Sequence, residues 1–212
     1  RNKFAEAVAK GNNELARTYV STTYAILGAI CFTIWGVFLV VNQFLDWSAI
    51  LNAPSDMRQE LSLLALMVFS YFCLQFVLKV LTTILIANQQ PAVSTIIGVS
   101  GQVLSLICIF ILVRTTEGSL LKLGAVFCFA PIVALIAGTL FFFTGPYKKY
   151  RPAFSLIKLP YAKSLFNLGL VFFIIQIAGV IQYQTANFII AQNYSPAHVT
   201  SYNIVYKYFG ML

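Results

Sequence analysis

Residues 18–41, 61–87, 92–113 and 123–143 are predominantly apolar, and each is long enough to cross a bilayer, which takes about twenty residues of helix. A fifth such run covers 164–192, and a sixth starts at 197 and reaches the last residue, 212. Hydrocarbon offers no partner for a backbone N–H or C=O, so a spanning segment is a helix or part of a closed barrel. The runs show no residue-by-residue alternation of apolar and polar side chains, which argues against a barrel. Charged residues make up 9% of the chain, where soluble domains carry about a quarter. The expected fold class is therefore all-α, a polytopic transmembrane helix bundle.

The segments between the runs set the expected orientation. Residues 144–163 read TGPYKKYRPAFSLIKLPYAK: five basic residues, no acid, and three prolines that disfavour one continuous helix. Residues 1–17 add Arg1, Lys3, Lys10 and Arg17, so nine of the fourteen Lys and Arg residues lie on these two segments. The loops at 42–60 and 114–122 hold only Arg58, Arg114 and Lys122. Alternation through the spans puts the rich segments on one side and the poor loops on the other, and basic loops face the cytoplasm. The expected organisation is a helix group over 1–143, a cytoplasmic basic connector over 144–163, and a second group beginning at 164 and continuing to 212. The net charge of +8 then reflects membrane edges and anionic lipid rather than nucleic acid.

Several local features carry structural expectations. Gly28 and Gly36 in the first span, and Ser94, Gly98, Gly101 and Ser105 in the third, predict close helix contacts. Pro131 predicts a kink in the fourth span. Asn88-Gln89-Gln90-Pro91 predicts a tight turn, and Trp47 anchors the 42–60 loop at the membrane interface. Cys31, Cys73, Cys108 and Cys128 each fall inside an apolar run without a CxxC pairing, and read as small buried apolar residues rather than metal ligands.

Lys79 is the sharpest chemical signal. It lies several turns inside the second span, where an ionisable group is costly and faces a cavity or a partner. Gln75 precedes it by one turn and Thr82 and Thr83 follow, which makes a polar stripe on one face. The bland alternative is a lysine that snorkels to headgroups roughly 12 Å away. Lys207 in the sixth span is similar, with Asn203 one turn before it. Gln176, Tyr183 and Asn187 share a face of the fifth span, joined by Gln184, and their amides and phenol suit sugar hydroxyls or phosphate oxygens. Polar contacts between helices would explain the same residues. The one histidine, His198, sits at a membrane edge, and Asp and Glu occur only outside the spans. No catalytic set, phosphate loop or metal-ligand cluster stands out, so neither an enzyme nor a cofactor is expected.

The strings RNKFAEAVAKGNNELARTYVSTTYA, DWSAILNAP, ANQQPA, LGLVFFIIQIAGVIQYQTANFIIAQ and VTSYNIVYKYF give the chain a family likeness. It resembles the bacterial O-antigen and capsule polysaccharide flippases of the multidrug/oligosaccharidyl-lipid/polysaccharide exporter superfamily. The resemblance implies two bundles of six helices around a central cavity, of which this chain would be an excerpt: the third to sixth helices, the connector, the seventh and part of the eighth. It implies transport of a polyprenyl-pyrophosphate-linked oligosaccharide across the bacterial inner membrane during surface polysaccharide and lipopolysaccharide synthesis. Lipid-linked oligosaccharide, membrane lipids, and a polysaccharide polymerase with other assembly proteins would be the partners. Cationic cavity residues would meet the pyrophosphate, which makes Lys79 and Lys207 the candidates. Two alternatives stay open: a multidrug exporter of the same superfamily, which would favour intramembrane acid, and a membrane polymerase or transferase, which would need catalytic side chains.

Overall fold

The computed structural model describes residues 2–115, 119–194 and 196–210, with the backbone alone at 159, 162–176, 183 and 196. It is all α-helical apart from short 3-10 turns, with no strand among the described residues. Helix α1 is Asn2–Ala9, α2 Asn13–Asn42, α3 Trp47–Leu51, α4 Arg58–Leu78 and α5 Val80–Ala87. Then follow α6 Pro91–Thr115, α7 Leu120–Thr144, α8 Leu159–Asn193 and α9 Pro196–Phe209. Among the described residues, four helices are long and apolar enough to cross a membrane: α2, Ser55–Ala87 (through α4 and α5), α6 and α7.

Local chemistry places the helix ends. Gly11, with φ of 71°, closes α1 in the left-handed conformation that glycine takes at no steric cost. Asn12 Oδ1 then accepts from the N–H of Leu15 at 2.9 Å and caps the start of α2. Asp46 caps α3 by accepting from the N–H groups of Ser48 and Ala49, and Ser119 caps α7 by accepting from that of Lys122. The predicted turn is present: α5 ends at Ala87, Gln89 takes a positive φ, and Pro91 opens α6, where its missing N–H costs nothing. Helix α7 runs on through Pro131.

The residues group into two compact units. One holds Arg1–Asn42 and Leu63–Lys163, the other Gln43–Ser62 and Ser164–Leu212. The core of the first unit lies where α1, the start of α2, α5 and the segment after α7 converge, around Phe4, Ala16, Leu81, Leu85, Tyr147 and Tyr150. Phe4 meets Tyr150 edge to face at 5.1 Å, and Tyr24 meets Phe143 the same way. Along the spans the apolar side chains point outward instead, Phe32, Phe110 and Val113 among them. Apolar residues all round a helix suit lipid rather than a water-facing surface. Farther along α2, Trp35 Nε1 donates to Ser70 Oγ at 2.8 Å and Phe38 stacks on Phe69, which fastens α2 to α4.

The small-residue stripe of α6 divides. Gly101 and Ser105 are buried, and a Cβ at Gly101 would lie 2.9 Å from the Cα of Pro131, so α6 and α7 touch there. A Cβ at Gly98 would meet nothing within 4 Å. The same is true of Gly28 and Gly36, so the close contacts expected of them are not made with the described residues. Cys31, Cys73 and Cys128 are buried as expected, and Cys108 is partly exposed.

Residues 144–163 are only partly a loop. Tyr147 and Tyr150 are buried, Ala153 N–H donates to Ser21 Oγ at 3.0 Å, and Lys158 N–H donates to Thr22 Oγ1 at 3.2 Å. Arg17 Nε donates to the carbonyl of Arg151 at 2.8 Å. The polar first turns of α2 therefore serve as the docking side of this segment.

Candidate functional site

The second predicted span is two helices that meet at Lys79. Lys79, with φ of −65° and ψ of −6°, stays in the right-handed helical region and forms the one-residue joint between α4 and α5. The flanking bonds survive: Lys79 N–H donates to Gln75 O at 2.9 Å, and Thr83 N–H to Lys79 O at 3.0 Å. The hydroxyls of Thr82 and Thr83 also donate to the Lys79 carbonyl, at 2.8 and 3.1 Å. Their protons are thus committed to the backbone, a pattern that bends helices, and are not offered to a ligand.

Lys79 and Gln75 line a cavity of about 440 Å³ within the first unit, between α4, α5, α6 and α7. Its polar side chains are Tyr71, Gln75, Lys79 and Thr82 on one wall, and Ser94, Gln102 and Ser105 on α6. Ile97, Leu106, Ile109, Phe127 and Leu135 make the rest apolar. No described acid lines it, and Lys79 forms no ion pair with a described residue. Gln75 Nε2 donates to the phenol of Tyr71, which leaves the amide oxygen available. Ser105 donates to the Gly101 carbonyl at 3.0 Å, so its proton is spent inside α6.

Tyr71 and Gln102 were not among the predicted site residues. The helical spacing held the signal for both. Tyr71 precedes Gln75 by one turn on the polar stripe, and Gln102 follows Gly98 by one turn beside the small-residue stripe of α6.

The remaining predicted residues belong to the second unit. Asn187 Nδ2 donates to Gln184 Oε1 at 2.8 Å, so these two do meet on α8. The Asn187 Oδ1 is enclosed and accepts no hydrogen bond from a described residue. The side chains of Gln176 and Tyr183 lie outside the described residues. On α9, Asn203 is partly buried and Lys207 is exposed in the last turn. No group of three His, Cys, Asp or Glu side chains that could hold a metal occurs among the described residues.

Fold and site together define an all-α membrane protein whose apolar helices border a mainly apolar cavity with a few polar side chains and no described acid on its wall. No family model, no curated protein and no solved structure matches the chain.

Proposed function

We propose that this protein is a flippase that carries a polyprenyl-pyrophosphate-linked oligosaccharide across the bacterial inner membrane. The observation that carries the reading is the Lys79 ammonium on the wall of a cavity that no described acid lines. A phosphate anion in a medium of low dielectric must be matched by opposite charge, because its desolvation is otherwise prohibitive. A cavity whose cation pairs with no described carboxylate suits an anionic headgroup and disfavours the cationic drugs of a multidrug exporter. The amides of Gln75 and Gln102 are donor and acceptor together, which suits sugar hydroxyls. Lys207, Asn203, Asn187, Gln176 and Tyr183 are the candidate substrate contacts of the second unit. In this reading residues 1–17 and 144–163 face the cytoplasm.

The test is surface polysaccharide in a flippase-deleted cell complemented with variants at matched membrane levels. Lys79→Ala should lower export by about tenfold or more, the scale of one charge-assisted hydrogen bond of roughly 1.5–3 kcal/mol. Lys79→Arg should retain much of it, since the charge stays although the planar fork differs. Full export by Lys79→Ala would remove Lys79 from the substrate path.

A further inference from the structure

The segment after α7 is held at a definite depth. Ser21 and Thr22, which accept from the N–H groups of Ala153 and Lys158, belong to the last polar cluster of α2 before its apolar run from Tyr24 onward. Residues 153–158 therefore lie beside the level where α2 passes from polar to apolar, which in a spanning helix is the headgroup level. Between the two tethers the chain makes one 3-10 turn, Phe154–Leu156, and the Phe154 ring is 95% exposed. Lys148, Lys149, Arg151 and Lys158 surround this turn in sequence, all exposed. The Lys149 ammonium is partly engaged, 4.9 Å above the Tyr150 ring. No acid occurs anywhere in 144–163.

We infer that residues 148–158 form an interfacial anchor that binds the anionic surface of the bilayer. Phe154 enters the headgroup–acyl boundary, and Lys148, Arg151 and Lys158 meet lipid phosphates. Charge complementarity selects this occupant: an apolar ring at headgroup level among uncompensated cations matches a negatively charged leaflet. A second protein segment covering the ring would need acidic side chains to offset the same cations. The tethers to Ser21 and Thr22 make the anchor rigid, so it joins the first unit to the leaflet at one depth. The inference does not depend on the transported substrate, and its test does not use export.

The experiment uses the full chain in vesicles of phosphatidylcholine with or without phosphatidylglycerol. Nitroxides are placed by Phe154→Cys and, for reference, Asp56→Cys, in a protein whose four native cysteines are alanine. With phosphatidylglycerol present, the label at 154 should be relaxed by dissolved oxygen and shielded from an aqueous nickel chelate, while the label at 56 is open to the chelate. Lys158→Gln should lower the buried-to-exposed ratio at 154 about fivefold, and added salt should lower it further. A label at 154 as open to the chelate as that at 56 would overturn the anchor. So would shielding from both oxygen and chelate, since that means a protein segment covers the ring. Equal shielding with and without the anionic lipid, unchanged by Lys158→Gln, would overturn the lipid preference. If the cysteine-free protein fails to insert, Phe154→Trp in the native-cysteine chain gives the same readout. Quenching by lipids brominated in the acyl chains, beyond that of the unsubstituted protein, supports the anchor, and its absence overturns it.

Discussion

The phenol of Tyr147 accepts a hydrogen bond from Asn88 Nδ2 at 2.6 Å and donates its own to Gln90 Oε1 at 2.9 Å. One side chain thereby ties the segment after α7 to the turn between α5 and α6. Tyr147 also packs against Phe142 and Tyr150, so the polar tie sits on an aromatic base. Tyr147→Phe keeps the ring and removes both bonds. The expected loss is about 1–2 kcal/mol of stability, because Asn88 is partly exposed and Gln90 exposed, so both amides regain water. Tyr150→Ala, at a ring that is 2% exposed, should cost more, about 3–5 kcal/mol. Thermal unfolding in detergent of the two variants beside the parent checks both size and order, and equal losses would contradict the assignment.

Thr22 is fully buried, and its hydroxyl oxygen receives the Lys158 N–H. Thr22→Val preserves shape and leaves that N–H without its partner. Amide exchange at Lys158 and Ala153 should accelerate in the variant, while amides within α6 and α7 keep their rates. Exchange measured by mass spectrometry on matched peptides reads the difference; uniform acceleration would mean general destabilisation instead of a released tether.

Two glycines one turn apart on α6 should respond in opposite directions. Gly101→Ala forces a Cβ to within 2.9 Å of the Pro131 backbone, which cannot rotate away, so α6 and α7 must separate. The expected cost is about 1–3 kcal/mol. Gly98→Ala meets nothing within 4 Å and gains helix propensity of up to about 1 kcal/mol. Melting temperatures of the two single variants decide it, and a Gly101→Ala protein as stable as its parent would show the helices to be looser than described.

Asp46 gives a pH dependence with a definite sign. The hydrogen bond from the Ser48 hydroxyl, then that from the Ala49 N–H, hold its carboxyl below the usual range, and Arg58 adds attraction from 3.5 Å. A carboxylate with a depressed pKa contributes stability that is complete above its ordinary pKa and is lost as pH falls through the lower folded value. Protection of the Ser48 and Ala49 amides, corrected for intrinsic exchange, should be flat near neutrality and fall below about pH 4. Asp46→Ala should lack that dependence and expose both amides at every pH.

Much of the scaffold was legible in the chain because spanning helices are selected one segment at a time. The runs at 18–41, 92–113 and 123–143 fall inside α2, α6 and α7, and the turn at 88–91 is where its Asn, Gln and Pro residues predicted it. Lys79 and Gln75 were legible as a pair because helical spacing alone puts them on one face. The partition of the α6 stripe was not legible. Ser94, Gly98, Gly101 and Ser105 are all small, and only the position of α7 decides that Gly101 is a contact while Gly98 opens on a cavity. The bonds from Thr82 and Thr83 to the Lys79 carbonyl are local, the same three- or four-residue back-bonding that Thr95 and Thr139 make in α6 and α7.

The order of apolar and basic segments by itself determined that this is an all-α membrane protein, because hydrocarbon admits a backbone only when its polar groups are paired within the segment. Tertiary structure alone decided what the polar residues do. Ser21 and Thr22 look like an unremarkable polar turn until residues 153 and 158 fold back on them, and Gln102 looks like one more amide of a span until α4 and α7 put it on the rim of a cavity. The physical reason is the same in each case. Hydrophobic length is a property of one segment, whereas these two tethers and this cavity wall need partners from segments distant in the sequence.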